Sequence, residues 1–125
     1  MSYPADLKYT KEHEWIRVDG ATGAIGITDF AQQQLGDVVY VEVPEIGSTI
    51  TAGKVFGTIE SVKAVSELFA PVTGEVVETN ASLKDRPDHV NSKPHETWMV
   101  KVKLTNPGEV ASLMDAAAYE QLIQK

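Results

Sequence analysis

A chain of 125 residues, with 42% hydrophobic and 23% charged side chains, has the composition of one globular domain, long enough to bury roughly two thirds of the surface its unfolded form exposes. A formal net charge of -7 without any run of basic residues argues against nucleic acid and favours partners with basic surfaces. There is no cysteine, which excludes disulfides, thiolate nucleophiles and thiolate metal sites, so any redox chemistry has to be imported.

The start, "MSYPADLKYTKEHEW", lacks a basic segment followed by an apolar one, and no apolar run approaches the ~20 residues that span a bilayer. No membrane association is expected, and the cytoplasm is the default location. From Trp15 to Val43 short strand-like pieces follow, "WIRV", "AIGI" and "DVVYVEV". In the last, Val39, Val41 and Val43 share one face and Val38 and Tyr40 the other. Between them "TDFAQQQLG" predicts a short helix, with Thr28 or Asp29 as N-cap and Gly36 as terminator. Gly47 and Gly53 then mark turns, as do Pro71, Gly74 and Asn80. Many short strands with Gly and Pro turns predict a mainly β fold of sandwich or barrel type.

"NASLKDRPDHVNSKP" is polar and broken by Pro87 and Pro94, so a short helix or turn followed by a loop is expected. In "WMVKVKL", Trp98, Val100, Val102 and Leu104 alternate with Met99, Lys101 and Lys103, which predicts a half-buried strand with Trp98 in the core. The tail turns to Ala, Leu, Glu and Gln, with Asp115 as N-cap of a final helix. The expected organisation is one domain over residues 1–125, a β core at about 14–104 and a helical appendage at about 107–125. His13, His89 and His95 do not pair at metal-ligand spacing and suit surface or capping roles, so no metal site is expected. No nucleophile elbow, phosphate loop or dinucleotide fingerprint is present, which speaks against an independent enzyme.

The most informative stretch is "GTIESVKAVSEL", residues 57–68. The odd-numbered alternation of Val55, Gly57 and Ile59 fails at "SVKA" and gives way to Val65 and Leu68, so the chain reverses at Ser61, Val62, Lys63 and Ala64. Lys63 then projects into solvent from a hairpin tip. A lysine there can simply protect an edge from pairing. Glu60, Ser61, Ala64 and an exposed Val62 are not needed for that, nor are glycines placed sixteen residues before it, Gly47, and eleven after, Gly74.

"GTIESVKAVSELFAPVTGEVVETN" resembles the lipoylated-lysine segment of the glycine cleavage H-protein family. "KYTKEHEWIRV", "IGITDFAQQQLGDVVYVEVPEIG" and "VNSKP" resemble the same family in the same order, so the likeness covers nearly the whole chain. It departs from the family at "HETWMV", where Thr97 stands in place of a glycine usual before the tryptophan; a positive φ there would strain Thr97 or change the turn.

The resemblance implies a barrel-sandwich hybrid with short helices and a C-terminal helix, and a non-catalytic carrier with lipoic acid joined as an amide to Lys63 by a ligase or transferase. It implies that glycine decarboxylase, aminomethyltransferase and dihydrolipoamide dehydrogenase each act on the arm, which carries an aminomethyl group during glycine catabolism. It also implies recognition of Glu60, Ser61, Val62 and Ala64 by the attaching enzyme, Gly47 and Gly74 as glycines framing the hairpin, and a docking cleft for the arm near Glu14, assisted by Glu67. A monomer is expected. A biotinyl domain of the wider class usually has Met on both sides of the lysine, whereas Val62 and Ala64 stand here. The remaining alternatives are a donor that relays lipoyl groups to other domains and an unmodified binding module on the same scaffold.

Overall fold

The computed structural model describes residues 3–124. Among them, in chain order, run β1 (Lys8–Tyr9), β2 (Glu14–Asp19), β3 (Thr22–Ile27), helix α1 (Asp29–Leu35), β4 (Val38–Glu42), β5 (Thr49–Ile50), β6 (Val55–Ser61), β7 (Val65–Phe69) and β8 (Gly74–Thr79). The single turns α2 (Ser82–Asp85) and α3 (His89–Ser92), β9 (Val100–Leu104), a 3-10 helix (Pro107–Ser112) and α4 (Ala116–Ile123) complete the described chain. The strands form two antiparallel sheets, one in the order β1-β2-β3-β9-β8-β5 and one in the order β4-β6-β7. Ile16, Ile25, Val76, Val100 and Val102 from the first meet Val41, Ile59 and Leu68 from the second in one buried core. This is a mainly β fold of the sandwich or barrel type that closely spaced short strands predict, in the flattened barrel-sandwich form that the family resemblance implies.

The capping chemistry acts as the local sequence demands. The Thr28 side chain accepts from Ala31 N–H at the start of α1, and Gly36 ends the helix at φ 83°. Asp115 does for α4 what Thr28 does for α1, accepting from Ala118 N–H. Gly47 and Gly53 both turn with positive φ.

Three expectations about strand faces are corrected. The pairing of β4 with β6 shifts between Val38 and Tyr40, so Val38 and Val41 are buried while Val39 and Tyr40 face out. A second shift, between Val55 and Gly57, exposes Val55 and buries Phe56. At β9 the strand begins at Val100; Met99, expected to face water, is fully buried, and Trp98 is only half-buried, with the Lys101 ammonium 4.6 Å from its ring centroid. A bulge adds one residue, and one residue is enough to exchange the two faces of a strand. The loop expected after the first turn of "NASLKDRPDHVNSKP" instead contains α3, divided from α2 at Pro87.

The C-terminal segment is not an appendage. Tyr119 on α4 is fully buried with Leu7, Tyr9 and Trp15 in a second core cluster. Tyr9 and Met114 exchange backbone hydrogen bonds, and the Tyr9 and Tyr119 rings stack at 4.8 Å. The sheet therefore starts at Lys8 rather than near residue 14.

Thr97 carries no positive φ; His13, at φ 73°, is the one non-glycine residue among those described that does. Thr97 is buried, and its hydroxyl donates to the His89 carbonyl at 3.0 Å, closing the end of α3. Thr97→Val should therefore cost about 1 kcal/mol, the ordinary net value of one hydrogen bond. A melting temperature equal to the parent's would show that this bond contributes nothing.

Gly74 is required for close approach. A Cβ there would lie 2.6 Å from the Lys103 carbonyl oxygen, on the paired strand β9. Because that neighbour is backbone, it cannot swing aside, and Gly74→Ala should cost about 2 kcal/mol or more. Denaturant unfolding should show the drop in midpoint; an unchanged midpoint would mean that the β8 and β9 backbones separate without penalty.

Candidate functional site: a hairpin lysine beside a buried carboxyl

The β6–β7 hairpin places Lys63 at its tip, with Val62 and Ala64 exposed on either side and Glu60 half-exposed at the base. Tight two-residue hairpins usually need positive φ and hence Asn-Gly or Asp-Gly. Neither Val62 nor Lys63 has positive φ, because other groups hold the tip. Ser61 N–H donates to the Ala64 carbonyl at 2.8 Å, and Ser61 Oγ accepts from Ala64 N–H at 3.1 Å and Lys63 N–H at 3.3 Å. Val62 N–H donates to the Asp37 carbonyl at 3.0 Å, which ties the tip to the corner between α1 and β4. Ser61 is buried, so its hydroxyl is a structural member of the tip, and the surface the tip presents consists of Val62, Lys63 and Ala64 with the half-exposed Glu60.

Lys63 is exposed, but its stem does not simply point into solvent. It crosses Gly36, with Cε 3.5 Å from where a Cβ on that glycine would stand. That corner is pinned in turn by Asn91 on α3. Its Oδ1 accepts from Val38 N–H at 2.8 Å, and its Nδ2 donates to the Gly36 carbonyl at 2.8 Å and to Gln32 Oε1 at 2.9 Å. Sequence reasoning noticed "VNSKP" without seeing what Asn91 does. A half-buried side chain that satisfies three groups more than fifty residues away in sequence carries no local signature.

A cavity of about 330 Å³ lies between α1, β6–β7 and the segment before β2. Ile27, Phe30, Leu35, Ile59 and Leu68 give it apolar walls, and Glu14, Glu67 and His13 also line it. Ser66, Glu67 and Leu68 are three to five residues from Lys63, about 10–17 Å along an extended strand. The structure thus brings Glu14 and Glu67 to one cleft beside the strand that leads to Lys63. Gly47 and Gly74 stand in turns and pairings of the body, away from the tip's hydrogen bonds.

Glu14 is 2% exposed. Its Oε1 accepts from Thr10 Oγ1 at 2.7 Å and its Oε2 from Phe69 N–H at 3.1 Å, the latter on the free edge of β7. Loss of water around the carboxyl dominates these bonds and pushes its pKa up to about 7. Glu14 is thus poised between a neutral acid and an anion near neutral pH. An aliphatic chain ending in a cation would fit such a cleft: the walls take the methylenes, and the cation restores the carboxyl's charge. Sequence reasoning missed Thr10, which holds Glu14 from four residues away, because a short polar side chain before a strand is indistinguishable from a turn residue.

Two antiparallel sheets with a lysine presented on a rigid hairpin tip define a carrier domain of the lipoyl and biotinyl class. A family model described as Glycine cleavage H-protein matches residues 7–125. A glycine cleavage system H protein from Koribacter versatilis is 60% identical over 121 residues, covering 97% of this chain and 94% of that protein. One from Acidobacterium capsulatum is 51% identical over 125 residues, covering 100% and 97%. The crystal structure of a glycine cleavage system H protein from Mycobacterium marinum superposes with a TM-score of 0.87 at 38% identity, over 95% of this chain and 97% of that one. The chain belongs to the glycine cleavage H-protein family. It is a non-catalytic carrier subunit of the glycine cleavage system with lipoic acid as its cofactor.

Proposed function

We propose that Lys63 is the residue that carries the lipoyl group, and that the carrier presents it in turn to glycine decarboxylase, aminomethyltransferase and dihydrolipoamide dehydrogenase. The observation that supports this reading is the tip itself: Lys63 is exposed while Ser61 and the Asp37 carbonyl hold the backbone around it. An acylating enzyme needs a free primary amine on a defined backbone, and the tip offers one. Held on Lys63, the lipoyl group would supply the redox sulfur that a chain without cysteine lacks, and with it the means of carrying an aminomethyl unit.

The chain's own residues then position and protect. Ile59, Leu68 and Leu35 exclude water from the arm, and the Glu14 carboxylate accepts from the ammonium at its end, with Glu67 adding negative charge at the same cleft. Glu60, Val62 and Ala64, on the backbone shaped by Ser61, are what a lipoate ligase or transferase reads. Gly47 and Gly74 keep the body beneath the hairpin in register. The unit works as a single lipoyl-carrier domain over residues 1–125 and as a cytoplasmic monomer, since one tether serves successive active sites without releasing the intermediate.

Proteolytic mapping of the protein after lipoylation by an attaching enzyme tests the assignment. The lipoyl mass should reside in the fragment containing Lys63, and its appearance on any other lysine would overturn it.

A further inference from the structure

Tyr119 lies 106 residues from His13 in sequence, yet its hydroxyl is 2.8 Å from His13 Nδ1 and 2.7 Å from Thr28 Oγ1. Both Tyr119 and Thr28 are fully buried. Hydrogen-bond satisfaction decides which way the protons run. Thr28 Oγ1 already accepts from Ala31 N–H, so its own proton needs an acceptor, and the Tyr119 oxygen is the one in reach. Tyr119 must then donate onward, to His13 Nδ1. The reverse arrangement, with the proton on Nδ1, would leave one of the two buried hydroxyl protons, that of Thr28 or that of Tyr119, without a partner. Burial also pushes the His13 pKa down, which keeps the ring neutral and able to accept.

The consequence falls on the cleft. His13 lines it, packs at a tilt against Phe30 with 4.7 Å between ring centroids, and adjoins Glu14 in the chain. Its Nε2 makes no hydrogen bond among the described residues and is left to carry the ring proton. The backbone of His13 is held at φ 73°, a bend that costs energy for a residue with a Cβ and persists because other contacts impose it. Those contacts are His13 N–H to the Thr10 carbonyl, Thr28 N–H to the His13 carbonyl, and the ring's bond to Tyr119.

We propose that Tyr119, on the C-terminal helix, is a positioning residue for the lipoyl arm: its hydroxyl fixes His13 as the tautomer protonated on Nε2, so that the cleft wall offers an N–H donor beside the Glu14 acceptor. The arm has matching groups, an ammonium donor at its loaded end and acceptors in its amide carbonyl and sulfur. Glu14 takes the donor and His13 an acceptor, which would orient the arm as well as bury it. This inference rests on the reading that the arm docks in this cleft.

The test uses protein labelled with nitrogen-15 in histidine and carbon-13 in glutamate. In the unlipoylated parent at neutral pH, His13 should show an unprotonated Nδ1 and a protonated Nε2. Tyr119→Phe, which keeps the stack on Tyr9, should give a mixture of the two tautomers and lose the load from the lipoylated, loaded arm about five-fold faster, the equivalent of one ordinary hydrogen bond. In the parent, loading the arm should shift both the Glu14 carboxyl and His13 Nε2, a measurement that needs no variant. A proton on Nδ1, or tautomers unaffected by Tyr119→Phe, would overturn the role of Tyr119. A shift at Glu14 without one at His13 would sink this inference and leave the docking reading standing, whereas no shift at either would sink both.

Discussion

Lys63→Arg should fold like the parent and carry no lipoyl mass, with glycine cleavage supported by this carrier falling to background. Arginine keeps the charge and a stem of similar length, so the path over Gly36 and the local electrostatics are nearly preserved. What it lacks is an amine that can be acylated, since the guanidinium remains protonated at any accessible pH. The tip's own bonds run through Ser61, Asp37 and the backbone of Ala64, none of which uses the lysine side chain. Unfolding should therefore change by no more than about 0.5 kcal/mol, as for an exposed position. Intact mass and a reconstituted glycine cleavage assay would read the outcome. A lipoyl increment on the arginine variant, or retained turnover, would show that another residue carries the arm.

Glu14→Gln should make the protein more stable at pH 8 and a worse carrier. The folded carboxyl titrates at about 7, above its ordinary value of 4.5, because the fold removes its water. Below about pH 4.5 both folded and unfolded forms are protonated and no penalty exists. As pH rises from there to 7, the unfolded state ionises first and stability is lost; above 7 the full cost of a buried anion is present. That difference of about 2.5 pH units corresponds to roughly 3 kcal/mol as an upper bound. Glutamine has the same shape and can accept from Phe69 N–H without a charge to desolvate; its NH2 meets Thr10 Oγ1, which already accepts from Glu12 and Glu14 N–H, so the Thr10 bond is lost at about 1 kcal/mol, less than the penalty relieved at pH 8. Melting temperatures should accordingly coincide near pH 4 and diverge in favour of the variant by pH 8.

The loss is functional. Without the anion the cleft loses its buried countercharge for an ammonium, leaving only the exposed Glu12 and Glu67 at its rim, and a loaded arm should hydrolyse faster than in the parent. The same coupling means that docking of the cation lowers the Glu14 pKa, so docking below pH 7 releases a proton. If the variant proves less stable than the parent at pH 8, the carboxyl is not under the strain described. If it holds its load as well as the parent does, Glu14 does not receive the arm. The balance resembles other sites where an uncompensated group is kept in the resting protein because it is needed by the ligand.

What the amino-acid sequence determined by itself was local. Thr28, Gly36 and Asp115 bound their helices because caps act within three or four residues, and short alternating strands between Gly and Pro turns implied a mainly β sandwich or barrel. Lys63 could be placed at a hairpin tip because the alternation failed on both sides of it. Tertiary structure decided everything that depended on partners far along the chain. Two register shifts and a late start to β9 moved Tyr40, Phe56, Trp98 and Met99 off their expected faces, since a one-residue bulge leaves no mark in a hydrophobic pattern. Glu14 could be named as a candidate, but its burial and raised pKa exist only because β7, 55 residues away, closes over it. Tyr119 looked like one side chain of a terminal helix. Only when that helix folds back across the start of β2 does its hydroxyl meet His13, and a hydrogen bond spanning 106 residues has no periodicity from which to be read.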